Sequence, residues 1–372
     1  MKKTRVLFLT LNTFSLTGGI EKVCCSLAKA LTDLHFSFNL YAMHDEDKNL
    51  DTRYLKGTEY KGFKHKKMSF GISSILKGIN ADVVILSHVN LLIFAFIIKK
   101  LSPKTKIIVY AHGIELWREI PKWKKKFLQE SIEIWAVSKY TSNTLTTMHQ
   151  ISSKKIKIVN NCLDPYFKLP DDFEKPTALL SRYHLNATQP ILFTLTRLSS
   201  QETYKGYDRV LSSMPALLKK FPNLHYVLAG KADERENQRV LSLISQLNLK
   251  NHVTLAGFIN NEEITDYFKL GSIFIMPSTM EGFGIVFIEA AACGAKIIAG
   301  NRDGSVDALL NGKLGTLVNA EDIDAIAIAI EENLNSNINP KQIQDRCLAN
   351  FSYQQYLKKI KELILPTINK AA

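Results

Sequence analysis

One stretch of the chain reads Ile273-Phe-Ile-Met-Pro277-Ser-Thr-Met-Glu281-Gly-Phe-Gly284-Ile-Val-Phe-Ile-Glu289-Ala-Ala-Ala-Cys-Gly294. The apolar run from Ile273 to Met276 is short enough for a buried parallel strand, and Pro277 ends it. A helix is predicted to begin near Ile285. A strand, a tight turn and a helix in this order are typical of parallel sheets that are covered by helices.

The turn between this strand and helix is suited to binding an anionic polyol. Gly282 and Gly284 carry no side chain, so backbone N–H groups can approach a ligand closely at the positive end of the helix. The carboxylates of Glu281 and Glu289 can accept hydrogen bonds from hydroxyls of a hexose and a ribose. We therefore predict a site for a nucleotide-linked sugar. The alternative is that the two carboxylates are a helix-dipole partner and part of a solvated helix face.

The same alternation of short apolar runs and helical stretches continues through both halves of the chain, which predicts an α/β fold with two doubly wound parallel sheets. The predicted strands are 6–11, 37–41, 83–87, 107–111, 134–137 and 156–159, then 191–196, 225–229, 253–256, 273–276, 296–299 and 316–318. The proline-containing segment 164–190 joins the halves. We place the boundary near Phe167, which predicts domains 1–167 and 168–350.

Open parallel sheets bind ligands beyond the carboxyl ends of their strands, so the loops at those ends carry the functional expectations. Gly18 and Gly19 follow the first strand and precede a helix, which suits a phosphate or acceptor cradle, although a Gly-Gly turn is also ordinary loop chemistry. His112 follows the strand 107–111, where a histidine is either structural or faces a ligand. The chain contains no G-x-G-x-x-G motif, which disfavours a dehydrogenase.

Two cations follow the first strand of the second half. Arg197 comes directly after the strand, and Lys205 lies eight residues later, before the next helix. A sugar nucleotide releases a diphosphate with growing negative charge, and a fixed guanidinium and ammonium stabilise that charge in the transition state. The alternative is a pair of exposed surface cations.

The order of these motifs resembles the retaining glycosyltransferases of family 4. The motifs are Thr17-Gly-Gly-Ile-Glu21, Ala111-His-Gly113, Ala136-Val-Ser138, Asn161 with Asp164, Arg197-Leu198, Lys205-Gly206 and the Glu281 to Gly294 stretch. The resemblance covers nearly the whole chain. It implies the GT-B fold, in which two Rossmann-like domains face each other across a cleft, and it implies that a C-terminal helix over 351–366 packs back on the N-terminal domain.

The resemblance also assigns roles. It implies that the catalytic residues are Arg197, Lys205, Glu281 and His112, and that the donor-binding residues are Gly18, Gly19, Gly282, Phe283, Gly284, Ile285, Val286 and Glu289. Two departures from the family pattern are visible. The interval between Arg197 and Lys205 is longer than usual in the family. The segment 303–307, Asp-Gly-Ser-Val-Asp, stands where the family often has Gly-Gly-x-x-Glu, which leaves base or ribose contacts there open.

The implied reaction is transfer of a hexose, with retention at the anomeric carbon, from a nucleotide-diphosphate sugar to a hydroxyl of a glycan or lipid-linked acceptor. UDP is the expected nucleotide, bacterial surface polysaccharide or lipopolysaccharide assembly the expected setting, and no cofactor or metal is expected. Two rivals stay open. One is a nucleotide-sugar epimerase or hydrolase of the same fold, and the other is a non-catalytic GT-B subunit that binds a polysaccharide or a membrane partner.

Composition narrows the remaining classes of protein. The five cysteines lack zinc-ligand spacing, which suits reduced thiols in a cytoplasmic protein without a structural metal. Lys2, Lys3 and Arg5 before a short apolar run imitate a signal peptide, but no small-residue cleavage site follows, so a first strand is expected. The longest apolar run, 89–98, is far below the roughly 18 residues of a membrane span.

The net charge of +13 is unevenly distributed. Residues 1–165 carry 26 Lys and Arg against 13 Asp and Glu, while residues 166–372 are balanced at 22 of each. The densest segments, 61–67 and 121–127, interleave lysines with aromatic residues, which suits an anionic membrane surface at the inner face of the cytoplasmic membrane. A solvated charged face is the alternative. Nucleic acid is not expected, because no recognition motif is present.

Overall fold

The computed structural model describes residues 4–364. The chain divides into two compact units. The first unit takes in the residues up to Pro165 together with those from Phe351 on, and the second unit is Tyr166–Asn350. Each unit holds one parallel sheet with helices between its strands, as the alternating sequence pattern predicts.

The first unit is built on a seven-stranded parallel sheet in the order β3-β2-β1-β4-β5-β6-β7. Its strands are β1 (Arg5–Thr10), β2 (Ser37–Ala42), β3 (Tyr60–Gly62), β4 (Val83–Leu86), β5 (Lys106–Ala111), β6 (Glu133–Ala136) and β7 (Ile156–Ile158). Its helices are α1 (Gly19–Asp33), α2 (Lys67–Gly78), α3 (Leu92–Leu101), α4 (Lys122–Ser131), α5 (Lys139–His149) and, at the C-terminal end, α14 (Tyr353–Ile364).

The centre of this sheet is buried on both faces, which explains the continuous apolar runs of β1, β4 and β5. Phe70 of α2, Ala95 of α3 and Leu128 of α4 belong to one core cluster with the strands. Helix α14 contacts α1, and the hydroxyl groups of Tyr356 and Tyr110 are hydrogen-bonded at 2.6 Å.

The second unit is built on a six-stranded parallel sheet in the order β10-β9-β8-β11-β12-β13. Its strands are β8 (Ile191–Leu195), β9 (His225–Ala229), β10 (Val253–Gly257), β11 (Ile273–Met276), β12 (Lys296–Gly300) and β13 (Thr316–Val318). Its helices are α6 (Thr177–Arg182), α7 (Tyr207–Leu218), α8 (Glu234–Gln246), α9 (Ile264–Leu270), α10 (Ile285–Ala292), α11 (Ser305–Ala308), α12 (Ile323–Asn335) and α13 (Pro340–Phe351).

The strand order of the second unit reverses between β8 and β11. From β8 the chain builds outward through β9 and β10, and from β11 it builds in the other direction through β12 and β13. The loops that follow β8 and β11 therefore leave the same edge of the sheet side by side. This switch point is where open α/β sheets bind ligands.

Several predicted strands are shifted by one residue at an end, and two larger differences are present. The sequence pattern missed β3, a three-residue edge strand in which only Tyr60 is buried, because so short a run has no apolar alternation to detect. The C-terminal helix expected over 351–366 begins two residues later, because α13 runs to Phe351 and α14 starts at Tyr353. Residues 365 and 366 lie outside the described residues, as do Lys2 and Lys3. Within residues 4–364, no helix is both long and apolar enough to cross a bilayer.

Candidate functional site

The loop between β11 and α10 holds the predicted sugar-binding motif. Gly284 has φ of +82° and is the N-cap of α10, which begins at Ile285 as predicted. A side chain at Gly284 would collide with the ring of Phe287, so this sharp entry into the helix requires glycine. The loop delivers Glu281 and Gly282 to the carboxyl end of β11, directly before the positive end of α10.

A buried aspartate holds this loop in place. Asp303, in the loop after β12, accepts hydrogen bonds from Ser278 Oγ at 2.8 Å and from the Glu281 N–H at 2.7 Å. Its other oxygen accepts from the Ser305 N–H at 2.9 Å, and Gly304 N–H donates to Glu281 O at 2.7 Å. Burial raises the pKa of Asp303 to about 6, although these hydrogen bonds oppose the shift.

Asp303 thus differs from a group that contacts a base or a ribose, because its carboxylate is used to hold the loop. Its side chain is fully buried, and both of its oxygens are engaged within the protein. The sequence showed that 303–307 departs from the family pattern, but it did not predict that Asp303 would hold the loop after β11. The signal was present in the Asp-Gly-Ser pattern, since Asp and Ser are turn residues that hydrogen-bond backbone N–H groups.

The loop after β8 lies against the loop after β11. The N–H of Thr279 donates to the carbonyl of Tyr204 at 3.0 Å, and the Lys205 ammonium is hydrogen-bonded to the Glu281 carboxylate. Gly206 has φ of +79°, and a side chain there would strike the carbonyl oxygen of Pro277. The two loops therefore approach each other at backbone distance, which brings together Lys205 and Glu281 from segments far apart in the sequence.

Lys205 and Glu281 form a shielded ion pair. Each side chain is 13% exposed. Burial by itself lowers the pKa of Lys205, but the adjacent carboxylate outweighs it and the pKa is raised, so the ammonium stays charged.

Arg197 is positioned differently, because its side chain is 74% exposed and reaches Glu202 at 2.6 Å. Glu202 lies within the long interval between Arg197 and Lys205, and its own side chain is largely shielded. The extra residues of this chain therefore supply a carboxylate to one of the two predicted phosphate-binding cations. Sequence reasoning noted the length of the interval but missed this role of Glu202.

The remaining predicted donor residues lie on α10 or lead into it. Glu289 is buried one turn into the helix, and Phe283 and Ile285 are also buried, while Gly282 and Val286 are partly accessible. The side chain of Phe283 thus belongs to the core, and its contribution to the loop surface is limited to the backbone.

In the first unit, a second buried carboxylate shapes the loop that leads to Gly18 and Gly19. Asp45, after β2, accepts hydrogen bonds from the N–H groups of Thr13 and Phe14, each at 2.9 Å, and from Tyr60 OH at 3.1 Å. The loop then enters α1, where Gly18 is the N-cap and Gly19 the first helical residue. The segment from His44 to Asp47 has the composition of a solvated acidic turn, so the sequence pattern did not predict that Asp45 is buried.

His112 follows β5, as predicted, and its ring is held from two sides. Its Nε2 lies 2.8 Å from the carbonyl oxygen of Ser87, and its ring stacks on Tyr110 at 5.6 Å between centroids. Because a carbonyl can only accept, Nε2 carries the proton. Burial lowers the pKa of His112 to about 4, so the imidazole is neutral at physiological pH and suits hydrogen bonding more than charge stabilisation.

Within the described part of the chain, no group of three or more His, Cys, Asp or Glu side chains has the arrangement of a metal site. The cysteines at 24, 25, 162, 293 and 347 are all free thiols. The chemistry that these loops offer is therefore hydrogen bonding and charge: two cations, two carboxylates and the open end of a helix in the second unit.

Comparison with known proteins assigns both halves of the chain to related families. A model described as "Glycosyltransferase Family 4" matches residues 17–167, and one described as "Glycosyl transferases group 1" matches residues 179–347. Among curated proteins, the GDP-mannose-dependent alpha-(1-6)-phosphatidylinositol monomannoside mannosyltransferase of Mycolicibacterium smegmatis is 27% identical over 240 residues. That match covers 62% of this chain and 61% of the relative, which is less than two thirds of its length.

Solved structures share the fold along nearly the whole chain. Anabaena Alr3699/HepE, crystallised with UDP and glucose, has a TM-score of 0.80 at 16% identity, with coverage of 98% of this chain and 100% of that one. A glycosyltransferase from Rickettsia africae has a TM-score of 0.79 at 20% identity, with 99% of both chains covered. At such low identities the likeness shows the fold alone.

Proposed function

This chain belongs to glycosyltransferase family 4 and has the GT-B fold, and we propose that it transfers a hexose from a nucleotide-diphosphate sugar to a hydroxyl acceptor. One observation carries the proposal. The loops after β8 and β11 converge at the switch point of the second sheet and juxtapose Lys205 with Glu281 at the positive end of α10.

Each predicted donor contact follows from the charge and placement of the side chain. Arg197 and Lys205 hold the diphosphate, since their positive charges stabilise the leaving group as its negative charge grows. Glu281 with the backbone of Gly282 to Gly284 holds the hexose, and Glu289 accepts hydrogen bonds from the ribose. Carboxylates of the protein pair with both cations, Glu202 with Arg197 and Glu281 with Lys205.

We infer that the reaction retains the anomeric configuration by attack from the same face as the departing phosphate. In this route the phosphate accepts the proton of the acceptor hydroxyl, and the protein contributes positioning and electrostatic stabilisation. His112, neutral and donating from Nε2 to a carbonyl, fits a positioning role in the acceptor half. No metal or other cofactor has a part in this proposal.

The nucleotide we propose is UDP. Anabaena HepE was crystallised with UDP and glucose, and the mycobacterial relative is GDP-mannose-dependent, so guanosine is the second candidate. The proposed acceptor is a glycan or a lipid-linked saccharide of a bacterial surface polysaccharide or lipopolysaccharide. Its support is the excess of positive charge in residues 1–165, which suits an acceptor with a phosphate linkage or a membrane-bound one.

The first test is thermal stability of the purified chain with UDP, GDP, ADP and their common sugar conjugates, because a ligand that binds only the native state raises the midpoint by mass action. We expect one nucleotide to raise the midpoint of the native chain and of an Arg235→Ala control. The same nucleotide should have much less effect on Arg197→Ala, because this variant lacks a proposed contact to the diphosphate. Arg235 serves as the control because it is an exposed cation of α8 outside the loops.

Turnover then separates the proposed transferase from its rivals. Nucleotide release that depends on an added acceptor supports glycosyl transfer. Release or sugar interconversion without an acceptor would instead indicate a hydrolase or an epimerase. If no nucleotide shifts the midpoint, the non-catalytic binding subunit becomes the better description.

A further inference from the structure

A cavity of about 300 Å³ lies at the amino ends of β12 and β13. Lys296 is the first residue of β12, Thr316 is the first residue of β13, and both line the cavity. The loops with the proposed donor contacts leave the carboxyl ends of β8 and β11, at the other edge of the same parallel sheet. At roughly 3.3 Å per residue, the length of β12 separates the two edges by about 13 Å. The cavity is therefore distinct from the proposed donor site.

The polar side of the cavity is cationic. Its charged lining residues are Lys296, Lys313 and Arg346, and within residues 4–364 no carboxylate belongs to the lining. In the same part of the chain, none of these three cations is paired with a carboxylate. Like charges that share one concave surface repel each other, so an anion that enters the cavity is attracted by all three.

Other cations close to the cavity do have partners. Lys220, just after α7, is paired with Glu331 of α12 at 2.7 Å, and Lys341 is paired with Asp345 of α13 at 2.9 Å. The exposed Glu332 of α12 is not part of the lining. The three cavity cations therefore differ from the ordinary surface ion pairs of the neighbouring helices, because their charge is not balanced by the protein.

Lys296 is held in place without being neutralised. Its ammonium donates to the carbonyl oxygens of Asn333 at 2.7 Å and of Ser336 at 2.6 Å, and its third N–H has no partner among the described residues. Partial burial lowers the pKa of Lys296, since no adjacent carboxylate offsets the loss of water. An anion in the cavity would supply the missing partner.

One wall of the cavity is the loop that leads into β13, and its backbone is fixed in an unusual conformation. Residues 310–312, Leu-Asn-Gly, all have positive φ, of 51°, 56° and 88°. Leucine rarely adopts this conformation, and such strain concentrates at functional sites. The N–H of Leu314 donates to Leu309 O at 3.1 Å, and Arg346 donates to the carbonyl of Lys313. The wall is thus preformed, which lowers the entropic cost of binding a ligand.

We propose that this cavity binds a small phosphorylated organic molecule, with Lys296, Lys313 and Arg346 holding the phosphate. A phosphate carries a charge of about −1.5 to −2 at neutral pH, which balances three cations better than a single carboxylate does. The planar guanidinium of Arg346 can pair with two phosphate oxygens at once. The inference goes beyond the proposed function and does not depend on it.

The size and the apolar lining indicate the rest of the ligand. Leu314, Ile338 and Ile343 also line the cavity, so a ligand with an apolar part gains more than a bare anion. A cavity of about 300 Å³ is at the small end of the range for ligand sites, so the molecule is small.

The test is isothermal titration calorimetry of the full chain with phenyl phosphate, inorganic phosphate and benzyl alcohol. Phenyl phosphate combines the charge with an apolar ring, whereas each of the other two probes has only one of these features. We expect phenyl phosphate to bind at a single site. Inorganic phosphate should bind about tenfold more weakly, because it has no apolar surface to bury, and benzyl alcohol should not bind.

Lys313→Ala with Arg346→Ala should weaken the binding of phenyl phosphate by on the order of 100-fold, since each charged contact contributes about tenfold. Lys313→Glu should weaken it to a similar extent, and it leaves Arg346 in place to hold the loop. This second variant keeps the test informative if the loss of Arg346 disturbs folding. The melting midpoint of each variant without ligand verifies that it folds.

A matched control removes the same charge from the second unit outside the cavity. Arg235 and Lys250 are exposed and do not line it, so Arg235→Ala with Lys250→Ala should bind phenyl phosphate like the native chain. Arg197→Ala with Lys205→Ala should also bind like the native chain, because these residues belong to the other edge of the sheet. Loss of binding in this last variant would place the phosphate at the donor loops and overturn the inference.

Three further results would overturn the inference. The first is that the native chain does not bind phenyl phosphate, and the second is that the folded cavity variants bind it like the native chain. The third is that one of the partial probes binds as tightly as phenyl phosphate. Tight binding of benzyl alcohol would show that the ring alone is recognised, and tight binding of inorganic phosphate would reject an organic ligand.

Discussion

Asp303 is a carboxylate removed from water, and its ionisation is coupled to the stability of the second unit. Burial raises its pKa to about 6, whereas an unfolded aspartate titrates near pH 3.9. In the window between about pH 4 and pH 6 the native chain therefore holds a proton that the unfolded chain has lost. Its contribution to stability is fully present below this window and is lost as the pH rises through it, by roughly 3 kcal/mol.

We expect Asp303→Asn to remove this pH dependence, because an amide does not titrate. The free energy of unfolding is measured with urea from about pH 4 to pH 7. The variant should be less stable than the native chain by an amount that is largest at the acidic end and shrinks by roughly 3 kcal/mol towards neutrality. The exposed Asp266 offers the control, and Asp266→Asn should follow the native curve. A stability difference between Asp303→Asn and the native chain that stays constant with pH would contradict the raised pKa of Asp303.

Glu202 competes with substrate in the proposed site, because a diphosphate must replace it as the partner of Arg197. The Arg197 side chain is well exposed, so the pair contributes less than about 1 kcal/mol. We therefore expect Glu202→Gln to lower the donor KM about threefold while kcat changes little, since the effect is on binding. Steady-state kinetics with varied donor measures both, and Glu234→Gln on α8 is the control. A raised KM would show that Glu202 orients Arg197 for binding.

At the scale of elements, the approach of the loops after β8 and β11 depends on Gly206. Replacement by alanine combines a positive φ with a collision against the carbonyl of Pro277. Gly257→Ala is a matched control, because Gly257 also has a positive φ, of +69°, but a side chain there would meet nothing within 4 Å. We expect Gly206→Ala to cost about 2 kcal/mol more than Gly257→Ala in the free energy of unfolding.

Gly206→Ala should also weaken nucleotide binding, because Lys205 is the neighbouring residue and moves with the backbone. The thermal shift produced by saturating nucleotide measures this effect separately from the loss of stability. Equal losses of stability for the two glycine variants would mean that the loop after β8 can move away from Pro277 without a loss of free energy. The contact with Pro277 would then not hold Lys205 in place.

Most elements could be predicted from their pattern, for a physical reason. Strands such as β9, β11 and β13 are apolar runs bounded by turn residues, and their predicted bounds agree with the structure. The start of α10 at Ile285 was also predicted, because glycine and the change of period mark a helix boundary. The edge strand β3 escaped prediction because its pairing with β2, and not its composition, makes it a strand.

At the scale of the whole molecule, each unit has its own sheet and its own core. The side chains proposed to contact the diphosphate and the ribose, namely Arg197, Lys205 and Glu289, lie in the second unit. We therefore expect a fragment of residues 166–350 to fold and to bind the same nucleotide as the full chain, but to transfer no sugar without the first unit. Thermal shift measures binding, and the fragment with Lys205→Ala is the control. A folded fragment that binds no nucleotide would place essential donor contacts in the first unit.

The identity of the chain as a family 4 glycosyltransferase with two α/β sheets is readable from the sequence, since apolar periodicity and the order of short motifs are local properties. Three contacts could be identified only from the tertiary structure. They are the ion pair of Lys205 with Glu281, the hydrogen bonds of Asp303 to the loop after β11, and the ion pair of Arg197 with Glu202. Two of these three contacts join residues that are brought together by the strand order of the sheet, and the third depends on how a loop folds. Side-chain composition along the chain encodes burial and turns, but the distance between two loops is set by the packing of all the strands between them.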